Sequence, residues 1–405
     1  MLKKLIALLL TLCMLLSLAA CGQAGDAAVQ AAPEAVDVDV PEAPEPAPEP
    51  TPDLEAQFEE ALAHYNANEY DEAFPMLQTL TDAGHAKATA YFGECYEYGR
   101  GVEKDYDKAF QLYQTSADLG DARGQAGLGS CYMNGRGVET MMYEYALMYF
   151  TQSAEQQDPR GYNGLGIMYK NGYGVEQDYA AAIEWFEKAI ALDYPLAMYN
   201  LGLMYENGEG VEQDYFIALE WYEKAAELGY AEAMFRIGYR YDEWEENPYA
   251  AEWYEKAAAL GHTNAMNNLG LLYLENINME LDYGKAVEWF EKAAALGYAT
   301  SMYNLGWMYY HGNGVTQDYA KAKEWFEKAA KLDHAGAWNY LGVMYGEGYG
   351  VEAEPNVAIA FYLKAAKLCD EDAIANLANF NIEASQVEDV YESYGAADLI
   401  REFMP

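Results

Sequence analysis

Apolar and polar positions along most of this chain alternate with a helical period, and the helical segments come in pairs. From Ala197, the stretch AMYNLGLMYENG sets Ala197, Leu201, Met204 and Tyr205 on one stripe. From about Asp214 to Leu228 a second stripe gathers Ile217, Ala218, Trp221, Tyr222 and Ala225. Between them lies a short glycine loop, Gly208-Glu-Gly210. The pair then recurs. Copies start at Gly164, Asn200 and Asn304, and a Leu-Gly glycine or its equivalent falls at Gly93, Gly129, Gly166, Gly202, Gly238, Gly270, Gly306 and Gly342. The successive steps are 36, 37, 36, 36, 32, 36 and 36 residues. A period in that range marks stacked supersecondary units and not one globular core.

Each recurring residue has a physical reason. The glycine of the Leu-Gly pair lets two helices approach, and the loop glycines admit positive φ. Asp105, Asp178, Asp214, Asp282 and Asp318 precede second helices, where a carboxylate caps unpaired N–H groups. Gly120, Gly229, Gly261 and Gly297 close second helices in left-handed geometry. Helices this short are marginal alone, so stacking must stabilise them. Two copies depart from the pattern. The stretch from Tyr241 has lost the glycine loop and four residues, and LENINMELDYGKA from Leu274 puts Asn276 and Asn278 where glycines stand elsewhere. Both departures predict a kinked or tightened stack.

These residues resemble the Sel-one-like repeat family, helical repeats related to tetratricopeptide repeats. The copy containing Asp318, Lys321, Ala322, Trp325, Phe326, Lys328, Ala329 and Ala330 carries the family pattern, and the likeness extends from about residue 86 to 368. The resemblance implies an all-α fold, a right-handed α/α superhelical solenoid of about eight helix-loop-helix repeats with helical caps. It divides the chain into a leader (1–20), a Pro/Ala/Glu-rich tether (21–53), a capping helix pair (54–85), the repeats (86–370) and terminal capping helices (371–405). Ala378 falls where the next repeat glycine would stand, so the tail reads as a last helix pair.

The amino end adds an address. Met1-Leu-Lys-Lys is basic, Leu5 to Leu18 is apolar but too short to span a bilayer, and Leu18-Ala-Ala-Cys21 follows. This resembles the bacterial lipoprotein box, which implies cleavage before Cys21 and a diacylglycerol on its thiol. The expected location is therefore the bacterial cell membrane, lipid-anchored and facing away from the cytoplasm. The tether, with PEAPEPAPEPTPD from Pro41 to Asp53, is proline-stiffened and charge-repelling and holds no core. With 24 basic and 66 acidic side chains the formal charge is −42. Such a body repels nucleic acid and anionic headgroups and favours basic partners, though the charge also serves solubility.

Little else in the chain asks for chemistry. Cys95 and Cys131 fill a slot that holds Met168, Met204, Met308 and Met344 elsewhere, so they read as small core residues; Cys369 stands apart. His64, His85, His262, His311 and His334 show no metal-ligand spacing and read as surface or loop residues. The Gly-x-Gly-Val loops lack a phosphate-binding Gly-Lys-Ser continuation, and no serine elbow is present. The sequence thus predicts no catalysis, no cofactor and no metal.

Binding is the remaining reading. In related tetratricopeptide repeats the first helices line a groove. Tyr199, Phe235, Tyr239, Asn267, Tyr303, Trp307, Tyr310 and Asn339 occupy first-helix slots that change from copy to copy. Tyr303, Trp307 and Tyr310 share one helix face by spacing. Aromatic and amide groups there suit capture of a protein or peptide, with packing between repeats as the competing role. The expected function is a lipid-anchored envelope scaffold for protein–protein or peptide binding. A cell-wall glycan binder is the alternative. A β-lactam-binding or hydrolysing relative is less favoured, because those relatives carry a cysteine pair in each repeat and this chain does not.

Overall fold

The computed structural model describes residues 52–275 and 281–404. The expected lipidation site Cys21, the tether up to residue 51, and Asn276 and Asn278 lie outside the described residues. Every regular element among the described residues is helical. The chain divides at Ala233/Met234, inside one first helix, into two compact units.

In the first unit, helices Pro52–Asn66 and Tyr70–Asp82 form a pair ahead of four repeats. First helices such as Ala86–Tyr98 and Pro195–Asn207 alternate with second helices such as Tyr106–Asp118 and Tyr215–Glu227. The second unit repeats the arrangement with Thr263–Glu275 and Tyr283–Ala295, Ala299–His311 and Tyr319–Ala330, then Ala335–Glu347 and Pro355–Lys367. The copy without a glycine loop passes from Glu243 to Asn247 through a tight turn with Glu245 at φ 59°.

Local chemistry fixes these boundaries. Asp105, Asp178, Asp214, Asp282 and Asp318 each accept a backbone N–H of the second helix they precede. First helices end on left-handed glycines such as Gly208 and Gly312. After second helices, Gly120, Gly229, Gly261 and Gly297 hold positive φ, and Gln157, Asp193, Asp333 and Cys369 adopt the same conformation at the equivalent point.

The core of each pair is built on a glycine and a ring. At Gly306 a Cβ would stand 2.6 Å from the fully buried Phe326 ring, and the same contact recurs from Gly93 on Tyr113 to Gly342 on Tyr362. The second loop glycine answers a different need. A Cβ on Gly314 would stand 2.6 Å from Tyr283 Cβ, on the second helix of the preceding repeat, so this loop is a contact between repeats as well as a turn. Cys95 and Cys131 are buried as small hydrophobes, and burial pushes both thiols up to about 12.

The tail departs from a simple helix pair. It comprises Glu371–Ala378, a short 3-10 turn at Ala384–Gln386, Val387–Ser393 and Ala396–Phe403. The first of these helices stops at Ala378, where earlier repeats continue past their glycine. Val387 and Ala396 then fold onto the Phe361–Leu363 core and close the stack.

Candidate binding surface

The predicted site residues separate into three environments. Asn267 and Asn339 are buried in the seam between consecutive first helices. Asn267 Oδ1 accepts from Ser301 Oγ and Asn304 Nδ2, both at 2.9 Å, and Asn339 Oδ1 accepts from Asn376 Nδ2 at 2.9 Å. Asn200 donates to Asn163 in the same way at 2.8 Å in the first unit. These amides hold neighbouring repeats in register, because a buried amide oxygen is costly to leave unpaired. They are seam residues between consecutive first helices.

Tyr199, Phe235 and Tyr303 occupy one slot in three repeats. Each packs on the core ring of its own second helix and on the residue capping the next first helix. For Tyr199 these are Tyr222 and Tyr230, at centroid distances of 5.5 and 5.4 Å. For Phe235 they are Tyr254 and His262, at 5.7 and 4.7 Å. For Tyr303 they are Phe326 and His334, at 5.9 and 4.6 Å. All three are only partly buried, so each keeps a solvent-facing portion. Tyr239 is also partly buried, with the Arg236 guanidinium 5.6 Å from its ring.

The histidines correct the sequence expectation. His85, His262 and His334 are helix caps, not surface or loop residues. Nδ1 of each accepts a backbone N–H three residues on, from Ala88, Ala265 and Ala337. Burial depresses His334 to about 4. A ring that accepts at Nδ1 while stacked on Tyr303 is the neutral form.

The third environment is an aromatic patch on the last two repeats. Tyr310 meets His311, Tyr319, Tyr340 and Tyr349 edge-on, at 4.9 to 5.8 Å. Tyr319 stacks on Tyr349 at 5.1 Å, and Tyr340 on Phe326 at 4.9 Å. Trp307 lies 4.5 Å from His311, hydrogen-bonds Tyr340 and packs partly on the core of the preceding repeats. Burial and the neighbouring tyrosines push Tyr310 up to about 12, so its phenol is neutral at pH 7. The structure thus brings Tyr303, Trp307 and Tyr310 together and adds Tyr319, Tyr340, Tyr349 and His311. Tyr340 was legible as another variable slot, two residues before its glycine. Tyr319 recurs at the start of second helices, as Tyr106, Tyr143, Tyr179, Tyr215 and Tyr283 do, and Tyr349 sits in a loop where helical spacing does not reach.

Among the described residues no group of three or more His, Cys, Asp or Glu side chains is placed to hold a metal ion, and no helix is long and apolar enough to cross a membrane.

Fold and surface together define a tandem helix-pair repeat protein that offers partly exposed aromatic rings. The Sel1 repeat family profile matches residues 86–121, 122–158, 159–194, 195–230, 231–262, 263–298, 299–334 and 337–368, and the chain belongs to that family. Among solved structures it is similar to a protective antigen of uropathogenic Escherichia coli displaying an SLR fold, at 27% identity over 86% of each chain with a TM-score of 0.37. It is similar to a Sel1 repeat protein from Oxalobacter formigenes at 28% identity, over 72% of this chain and 89% of that one, with a TM-score of 0.48. An immunity protein from Pseudomonas aeruginosa matches at 22% identity, over 58% and 87%, with a TM-score of 0.38. No curated protein matches the chain.

Proposed function

We propose that this chain is a lipid-anchored scaffold of a bacterial envelope that captures a protein or peptide on its first-helix face and acts by binding, without catalysis. Sel1 repeat proteins are generally protein-interaction scaffolds, and that membership supports the coarse reading. The observation that carries the finer one is the patch around Tyr310. Tyr303, Trp307, Tyr310, Tyr340 and Tyr349 are partly exposed at positions whose residue varies from repeat to repeat, so the fold does not demand them, whereas Tyr319 recurs as Tyr106, Tyr143, Tyr179, Tyr215 and Tyr283. Tyrosine and tryptophan offer large, rigid contact area at small entropic cost, the usual property of interface anchors. The formal charge of −42 favours a basic partner, whose approach the protein's field would accelerate at low salt.

The test uses the chain from residue 21 carrying Cys21→Ser, immobilised and exposed to envelope extract, with the eluate identified by mass spectrometry. A protein or peptide should elute. Tyr310→Ala should weaken its capture by about 2 kcal/mol while the melting temperature changes little. Capture unaffected by Tyr310→Ala in a folded protein would overturn the patch, and elution of glycan alone would overturn the partner class. The anchor is tested separately. A tagged fatty acid should label the native chain and not Cys21→Ser, and label surviving that change would remove the anchor.

A further inference from the structure

The first compact unit carries a different concentration of chemistry. Four of the chain's seven arginines fall between residues 100 and 160, in a protein of net charge −42. Three of them, Arg100, Arg123 and Arg160, converge on the carboxylate of Glu94. Arg123 grips it with two bonds, Nε to Oε1 at 2.6 Å and Nη2 to Oε2 at 3.2 Å, and the Tyr65 hydroxyl donates to Oε2 at 2.6 Å. Burial alone would raise the Glu94 carboxyl, but the Arg123 charge and bond, with Arg160 and Tyr65, hold it down at about 2.

One bidentate guanidinium is enough to satisfy one carboxylate. Two more stand by. Arg100 and Arg160 sit on opposite oxygens of Glu94 at 4.0 Å, beyond hydrogen-bond reach, and their side chains keep 34% and 28% exposure. Arg100 bonds the Tyr65 hydroxyl, and its guanidinium lies 4.9 Å from the exposed Tyr98 ring. The other carboxylates beside the cluster are Asp121 and Asp158, and both are helix caps. Asp121 takes the backbone N–H of Gly124, and Asp158 takes that of Arg160 and also accepts from Arg160 Nη1 at 3.4 Å. Arg100 and Arg160 thus each spend one guanidinium nitrogen, on Tyr65 and on Asp158, and keep the rest of the fork for another acceptor.

We propose that Arg100 and Arg160, beside Tyr98, form a subsite for a single carboxylate on a bound peptide, in the first instance its C-terminus. Fork-shaped donors match a carboxylate, and an aromatic ring next to them suits the residue before it. The field of the protein narrows the ligand further. A body this acidic repels a polyanion at long range, whereas one carboxylate on a neutral or basic peptide crosses that field at little cost. The subsite is thus independent of the aromatic patch on the last two repeats, and a peptide can be basic along its length and still end here.

The probes are N-acetyl-Tyr-Ala-Ala as free acid, the same tripeptide as its C-terminal amide, and inorganic phosphate, each titrated calorimetrically into the chain from residue 21 carrying Cys21→Ser. The acid should bind about tenfold more tightly than the amide, the value of one charge-assisted hydrogen bond, and more tightly than phosphate. Arg160→Gln should reduce the acid to the level of the amide while the melting temperature stays close to the parent, since Arg123 still satisfies Glu94. Arg160→Lys, which keeps the charge and loses the fork, should recover part of the difference. Tyr310→Ala should leave the difference intact, which separates this subsite from the proposed patch. The proposal fails if acid and amide bind alike, if phosphate binds as tightly as the acid, or if Arg160→Gln leaves the difference between acid and amide unchanged, whatever its melting temperature.

Discussion

A few residue pairs carry the repeat, and two of them can be read as rules. The ring facing the repeat glycine lies twenty residues after it in most copies, twenty-one after Gly129 and sixteen after Gly238. It is a tyrosine wherever the residue four after the glycine is an acid; Tyr362, opposite Gly346, is a tyrosine without one. Tyr113 donates to the buried Glu97 at 2.6 Å, Tyr222 to the buried Glu206 at 2.6 Å, and Tyr254 to Asp242 at 3.2 Å in the shortened copy. Where the ring is Phe186, Phe290 or Phe326, the paired position holds Lys170, Leu274 or Tyr310. A carboxylate is thus buried where a phenol is there to meet it. Tyr113→Phe removes one of two bonds to Glu97, the other coming from Arg136, and should cost about 1–3 kcal/mol in urea unfolding. Gly306→Ala tests the glycine-and-ring contact. In an open helix that change would stabilise by about 1 kcal/mol. Here the new methyl meets Phe326 at 2.6 Å, so a net loss of about 1–3 kcal/mol is expected, and a rise in melting temperature would refute the contact.

At the scale of the element, the first helices are started by alternative caps at one recurring slot, and the choice sets a pH response. Asp121, Asp158 and Asp370 fill it in some repeats, His85 and His334 in others. For His334 the folded ring titrates near 4, below the ordinary 6.5, because burial opposes its charge. The unfolded chain therefore binds the proton first as pH falls. Stability from this residue is complete above about 6.5 and is lost between there and 4, by as much as about 3 kcal/mol if the whole shift is realised. Melting temperature against pH should show the loss, and His334→Asn, which caps without titrating, should flatten that part of the curve. The helices, their caps and the glycine loops were legible in the sequence because each rests on chemistry within one repeat. The roles of Asn267, Asn339 and His334 were not, since they depend on side chains that meet only when one repeat lies on the next.

At the scale of the whole molecule, stability comes from neighbours. The loop glycine of one repeat rests on the second helix before it, the seam amides join consecutive first helices, and the tail closes the last pair. Removing the tail from residue 371, and then further repeats one at a time, should lower unfolding free energy in steps, with the urea dependence shrinking in proportion to the surface lost. A single collapse at the first truncation would mean that the array folds as one indivisible core. The aromatic patch follows the same logic. Its membership could be read only in part, because Tyr303, Trp307 and Tyr310 lie on one helix, whereas Tyr340 and Tyr349 reach them from the next repeat.

The pairing of ring and acid also constrains how such an array can be inherited. A crossover between repeats transmits Glu97 with Tyr113, or Lys170 with Phe186, as intact couples. A crossover inside a repeat would join the buried Glu97 to a phenylalanine, and so leave a carboxylate against a ring that cannot answer it. Chimeric genes cut at the cap before a first helix should therefore give folded protein, whereas those cut in the glycine loop should give unstable protein unless both members are exchanged. The heritable module is the helix pair together with its buried couple, so lengthening by duplication is cheap for this architecture and shuffling of single helices is not.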